Sequence, residues 1–371
     1  MVIRAAEFYS GIGGLHLGLS RSSVNGLVVR AYDWDQSACQ VYDANYGKGI
    51  AQKADISRLT ASELAGLNAS LWLLSPSCQP YTVLNPLAKG AEDPRAKSFI
   101  HLMENILPEL VSMGKHPTHM LIENVAGFES SSTRQRLLHV LKQLNYTVTE
   151  LLLTPLQYGV PNSRLRYYLL AKHQALEFAN VPRKSAKEVW RHIPGHGEDY
   201  IDDRRGDSNG DSSVTEIRNY LNADMPDEEF SKYAIPDRVL EKWGRLFDIV
   251  LPSSRRTCCF TRGYTKMAER SGSVLQLNEN LDTTTLFNQF LEQHASGDNQ
   301  AVRTLDALRL RYFTPGELLR LFCFDDIESE GQEPPHTFVW PSTISTKTKY
   351  KLLGNSVNVR VVTQLINYLF E

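Results

Sequence analysis

Apolar residues over the first 173 positions come in short runs, separated by longer stretches that alternate with helical period. Short runs rich in Val, Ile, Leu and Tyr read as buried strands, and the amphipathic stretches between them as helices. The pattern predicts strands at Val2–Phe8, Leu27–Tyr32, Ser70–Leu74, Thr118–Ile122, Tyr146–Leu153 and Tyr167–Ala171. It predicts helices near Leu15–Ser22, Ser37–Asn45, Lys97–Ser112 and Arg134–Leu144. Repeated strand–helix alternation predicts an α/β fold built on a parallel, doubly wound (Rossmann-like) sheet. Such sheets form their sites at the carboxyl ends of the strands. The first runs end in SGIGG, DWD, SPSCQP and ENVAG, so chemistry is expected there.

From Gln174 to Thr304 the pattern breaks up, and a polar stretch at 198–214 reads as a mobile acidic loop. Regular patterning returns at Leu305, with Thr314-Pro315 as a helix start and Ser356–Phe370 as a closing amphipathic helix. The expected organisation is a catalytic core of 1–173 plus 305–371 and a smaller recognition insert at 174–304.

Charge and cysteines narrow the class. The chain of 371 residues carries 40 basic and 42 acidic side chains, which argues against a bulk polyanion coat. The charges are segregated, however. Ser185–Phe230 holds 5 basic and 12 acidic residues, whereas Val250–Gly272 holds 5 and 1. These are either two solvated faces or a local phosphate contact by Arg255, Arg256, Arg262 and Lys266. No apolar run approaches the ~20 residues of a membrane span, and the N-terminus lacks a signal-peptide layout; a cytoplasmic or nuclear protein is expected. Five scattered cysteines without a CxxC pair predict reduced thiols, no metal site and one candidate nucleophile.

FYSGIGG is a Gly-rich strand-to-helix turn that lets backbone approach a ligand. Read as a dinucleotide fingerprint it gives Gly11 and Gly13, then His16 where a third glycine belongs. That failure favours a nucleoside without a pyrophosphate over NAD, and leaves a dehydrogenase disfavoured. Asp33, about 20 residues on, is placed to accept from a ribose. Asp55 either holds an adenine amine or caps a turn. In SPSCQP, Cys78 follows a buried strand instead of lying inside an apolar run. Glu123 ends the next strand, and Arg164 and Arg166 share one side of an extended segment because strand side chains repeat every two residues.

The ordered motifs FYSGIGG, DWD, SPSCQP, ENV, QYGVPNSRLR and LGNSVNV resemble the cytosine-5 methyltransferase family over nearly the whole chain. The stretch CCFTRGYTK resembles its small eukaryotic subfamily, the second type of DNA methyltransferase. That resemblance implies tRNA as substrate, chiefly cytosine-38 in the anticodon loop of tRNA-Asp, with DNA as the weaker alternative. It implies an S-adenosylmethionine site formed by Phe8, Ser10, Gly11, Ile12, Gly13, Gly14, Asp33, Trp34, Asp55, Ile56, Ser75, Asn355, Ser356 and Val357. It makes Cys78 the nucleophile, Glu123 the acid at the ring, Arg166 the group holding O2, and Arg164 the support of the nucleophile loop. Two departures stand out. Ser77 occupies a position where the family usually has a second proline, which frees a φ angle and loosens the nucleophile's placement. Val83 stands where the family often has arginine, so phosphate contacts from that loop would pass to Lys89, Arg95 and Lys97. The remaining alternative is a non-catalytic cofactor- or RNA-binding homologue, and the retained Cys78, Glu123, Arg164 and Arg166 argue against it.

Overall fold

The computed structural model describes residues 2–77, 93–174, 176–181, 189–202, 213–223, 225–326 and 337–371. Seven strands make the main sheet: β1 Ile3–Phe8, β2 Gly26–Asp33, β3 Ala51–Lys53, β4 Leu71–Leu74, β5 His119–Val125, β6 Tyr146–Leu153 and β7 Arg166–His173. Their spatial order is β3-β2-β1-β4-β5-β7-β6. The pairs from β3 through β5 are parallel, but β7 runs antiparallel to both of its neighbours.

The sheet is parallel-dominated, as expected, with β7 reversed, and the connection before it bears on why. Between Leu153 and Arg166 the chain holds only one short 3₁₀ turn, Pro155–Tyr158. A parallel return needs a crossover long enough for a helix, whereas a short link folds back as a hairpin. The consequence is functional. The first residue of β7, Arg166, lies opposite Val125 and Leu153, the last residues of β5 and β6. The reversed strand thus begins where its neighbours end.

Along the first half of the chain the helices are α1 Gly14–Ser20, α2 Gln36–Tyr46, α3 Ala61–Leu67, α4 Lys97–His101, α5 Leu107–Ser112 and α6 Ser132–Gln143. The expected helix at 97–112 is present but rewound in the middle, with Leu102–Ile106 in π geometry. Pro108 follows at once, and it has no N–H to give to the carbonyl four residues earlier. Side chains alternate across the sheet. Leu71 and Leu73 join one core with Leu15, Val361 and Leu365, while Trp72 and Leu74 join another with Phe8, Leu102 and Ile122.

A second sheet of three short strands, β8 Ile249–Val250, β9 Val274–Gln276 and β10 Leu310–Arg311, is accompanied by α7 Asp227–Tyr233, α8 Asp237–Trp243 and α9 Thr283–Ala295. Its last strand lies beyond the expected insert boundary at 304. Conversely, Phe178 stacks on Tyr368, and Trp190 bridges to Leu151 of β6. The first part of the expected insert therefore packs on the core.

The chain closes with α10 Pro315–Leu321, α11 Thr346–Gly354 and α12 Val359–Leu369. Thr314 caps α10 with Pro315 behind it, as the sequence predicts. Helix α12 lies against α1 because glycine permits it: a Cβ on Gly18 would sit 2.4 Å from Val362 Cγ1. Both ends of the chain thereby build one unit. No helix among the described residues is long and apolar enough to cross a membrane. Most of the predicted acidic loop, residues 203–212, lies outside the described residues. Its described flanks neutralise the neighbouring basic stretch: Asp202 pairs with Arg256 at 3.0 Å, and Glu216 with Arg255 at 2.9 Å.

Candidate active site

Where β1 ends, the chain turns through left-handed conformations at Tyr9, Gly11 and Gly13, with φ of 57°, 53° and 85°. Gly13 has no room for a side chain, since a Cβ would lie 2.2 Å from the Tyr46 ring. The turn is fixed from β2: Asp33 Oδ2 accepts from Gly11 N at 2.8 Å, and Oδ1 accepts from Asp35 N at 2.7 Å. Burial pulls the Asp33 carboxyl up, while these backbone donors favour its charged form. Next to it the Trp34 ring is 70% exposed, with the Lys53 ammonium 5.9 Å from its centroid. An exposed indole face just past the end of β2 is a stacking surface for a planar group.

Beside this turn lies a small pocket lined by Ser10, Gly11, Gly14, Ser75, Asn355, Ser356 and Val357. Ser10 Oγ is buried there and has no hydrogen-bond partner among the described residues. A native buried hydroxyl normally finds a partner, so this one is suited to the polar end of a ligand. The pocket adjoins a cleft of about 400 Å³ lined by Gly11, Asp33, Trp34, Ser75 to Ser77, Glu123, Arg164, Arg166, Arg262 and Asn355. Residues predicted from three distant motifs thus meet. Phe8 and Ile12 do not line it; both are core residues, Phe8 stacking on Tyr32. Asp55 takes the capping alternative, with Oδ1 accepting from Ser57 N and Oγ, and Ile56 is buried in the core.

At the chemical end of the cleft, Glu123 is 8% exposed, and Arg166 Nε lies 3.5 Å from its Oε1. Burial raises the Glu123 carboxyl above the usual range, and Arg166 and Arg164 hold part of that rise back. Arg164 is expected to support the nucleophile loop, whose residues 78–92 lie outside the described residues. Among the described residues its guanidinium donates to Phe260 O at 2.8 Å, Gly354 O at 3.3 Å and Ser356 O, and reaches Cys259 Sγ at 3.2 Å. It ties the insert to the C-terminal segment.

The approach to that loop is held by others. Ser75 Oγ donates to Tyr9 O at 3.1 Å, and Asn124 Nδ2 donates to Pro76 O at 3.2 Å. Asn124 was not assigned from the sequence. Its signal was available: it follows Glu123 on a strand, so its side chain points to the opposite face. Cys78 and Lys89 lie outside the described residues. Cys259 is the second unassigned residue. Burial opposes its ionisation, yet Arg166 and Arg164 outweigh that and set its thiol below the ordinary range. Its neighbour Cys258 is pushed up to about 12 by burial and by Asp248.

The basic candidates separate. Arg262 lines the cleft, and Lys266 lines a neighbouring hollow. Arg255 and Arg256 are committed to ion pairs within the protein. Arg95 pairs with Asp93 at 2.6 Å, whereas Lys97 starts α4 exposed.

Comparison with known proteins follows the same geometry. The family described as C-5 cytosine-specific DNA methylase matches residues 3–371. The tRNA (cytosine(38)-C(5))-methyltransferase of Schizosaccharomyces pombe is 37% identical over 370 residues, covering 100% of this chain and 97% of that protein. A DNA (cytosine-5)-methyltransferase of Dictyostelium discoideum is 34% identical, covering 99% and 94%. The crystal structure of the S. pombe Dnmt2 methyltransferase superposes with a TM-score of 0.75 at 34% identity, covering 100% of this chain and 98% of that one.

Proposed function

The chain belongs to the C-5 cytosine-specific DNA methylase family, and from that premise we propose that it methylates C5 of cytosine in tRNA, most readily cytosine-38 of the tRNA-Asp anticodon loop. The observation that carries the chemistry is the convergence of Glu123, Arg166 and the Ser75–Ser77 approach to Cys78 on one cleft beside the Gly-rich turn. The tRNA assignment is supported by full-length relatives that carry that activity in their names. The methyl donor is S-adenosylmethionine, whose adenine would stack on Trp34 and whose amino-acid end would meet the unpartnered Ser10 hydroxyl. When bound it supplies an electrophilic methyl group.

Cytosine C5 is a weak nucleophile, so the ring must first be activated. The Cys78 thiolate adds to C6, and the electron pair of the C5–C6 double bond moves so that C5 becomes enamine-like. Glu123, kept protonated further up the pH scale by burial, donates to N3 and prevents negative charge from building on the ring. Arg166 holds O2. After C5 is methylated it loses its proton, and the Cys78–C6 bond breaks to restore the aromatic ring and the thiolate. Arg164 acts at one remove, fixing the insert against Gly354 and Ser356. The target base must leave its stack to enter the cleft, which costs least in a single-stranded loop.

The experiment is transfer of labelled methyl from S-adenosylmethionine to unmodified tRNA and to duplex DNA. The expected result is incorporation into tRNA, abolished by Cys78→Ala. Incorporation into DNA with none into tRNA would favour the runner-up, a DNA cytosine-5 methyltransferase.

A further inference from the structure

The turn that gives Arg262 to the catalytic cleft gives Lys266 and Met267 to a second hollow. Backbone bonds brace it: Tyr264 N donates to Thr261 O at 3.0 Å, and Lys266 N and Met267 N both donate to Gly263 O at 2.9 and 3.1 Å. The hollow measures about 370 Å³ and is walled chiefly by Trp243, Leu246, Met267 and Tyr312, with Lys266 and Glu269 as its charged members. Its apolar side chains face solvent: Trp243 is 43% exposed, Leu246 44% and Met267 60%. Large apolar groups gathered at one opening, instead of scattered singly, mark an interaction site. The Lys242 ammonium sits 5.0 Å from the Trp243 ring centroid. Neither Lys242 nor Lys266 forms an ion pair with a carboxylate among the described residues, so both charges are available to phosphate.

We propose that this hollow holds an unpaired nucleobase of the RNA strand, flanking the target cytosine, stacked on Trp243 with its phosphate drawn to Lys266. The inference rests on the tRNA reading above and deepens it. When a cytosine leaves its loop to enter the catalytic cleft, its neighbour loses a stacking partner and needs a replacement surface. An aromatic face beside lysine is the recurrent solution for single-stranded nucleic acid. Continuity favours this surface: the one braced turn Thr261–Met267 contributes to the lining of both cavities. Stacking of this kind changes affinity about 5- to 150-fold per base.

The test compares wild type, Trp243→Ala, Trp243→Phe and Met267→Gln on unmodified tRNA transcripts carrying single abasic nucleotides around the target. Trp243→Ala is expected to raise Kd and KM about 5- to 150-fold, with the single-turnover rate at saturation unchanged. Trp243→Phe is expected to recover most of the loss, and Met267→Gln to reproduce part of it. One abasic position should cost wild type as much as Trp243→Ala does, and should cost that variant nothing further. Unchanged binding by Trp243→Ala, or abasic penalties identical in wild type and variant at every position, overturns the proposal. So does a wild-type dimer that Trp243→Ala dissociates while tRNA binding is unaffected. If wild type binds tRNA but transfers no methyl to it, the functional reading fails, and the binding comparison still decides the hollow.

Discussion

Two neighbouring thiols, Cys258 and Cys259, are indistinguishable in sequence terms and opposite in environment. One faces Asp248 and Ser273, the other the guanidinium groups of Arg164 and Arg166. The difference follows from one residue of register, which no periodicity argument over a short irregular segment supplies. Glu123, proposed as the acid at the ring, was easier to single out, because it follows a strong apolar run. Its titration gives a prediction. If its protonated form serves the reaction, the single-turnover rate falls as pH rises through the raised pKa of Glu123. Arg166 lowers that pKa, so removing its charge raises it. The alkaline limb attributable to Glu123 is expected to move to higher pH in Arg166→Ala, alongside a rate loss of about 10²-fold or more. The check is a pH profile of single-turnover methylation for both proteins. A limb that stays put, or moves to lower pH, would detach Glu123 from the observed titration.

Elements repeat the lesson at larger size. The main strands and the helix starts were legible because apolar runs and caps are local signals. The direction of β7 was not, because it depends on the length of the link before it. Helix α3 is not legible in the sequence: seven residues give too little pattern. The meeting of β1, α1 and α2 holds a further feature invisible in the sequence. Glu7 on β1 is fully buried; Tyr42 of α2 donates to its Oε2 at 2.7 Å and is itself 2.7 Å from His16 Nδ1 of α1. Burial pushes Glu7 up from 4.5 to about 8 and His16 down to about 4. The stability carried by the protonated Glu7 is full below about pH 4.5 and is lost as pH rises through about 8. Between these limits the folded state binds more protons than the unfolded, so stability falls by about 1.4 kcal/mol per pH unit. Denaturant unfolding of wild type and Glu7→Gln from pH 5 to 9 measures this. The wild type is expected to lose stability relative to the variant up to about pH 8 and to run parallel above it. Parallel curves throughout would mean that the carboxyl is ionised in the fold.

The molecule as a whole is stitched at places the chain order conceals. Its C-terminal helix lies against its first helix, and Arg164 joins the insert to the segment before that helix. The net charge near zero first spoke against a polyanion partner, and part of the basic stretch is also paired internally, Arg256 with Asp202 and Arg255 with Glu216. Of the four basic candidates in the stretch after Val250, Arg262 lines the cleft and Lys266 its neighbouring hollow. That is a local footprint, suited to one loop of a folded RNA. Contacts across the expected insert bounds are not legible in the sequence, since Leu310–Arg311 pairs with β9 and Phe178 stacks on Tyr368, partners far along the chain. The central claim is covalent catalysis by Cys78 at C6 of a tRNA cytosine. It is tested most directly by a tRNA carrying 5-fluorocytidine at the target, because fluorine at C5 blocks the final elimination and leaves the adduct in place. Mass spectrometry of the digested complex is predicted to find the methylated nucleotide joined to the peptide containing Cys78. An adduct on Cys259 instead, or turnover of ordinary tRNA with no trapped adduct at all, would contradict the account.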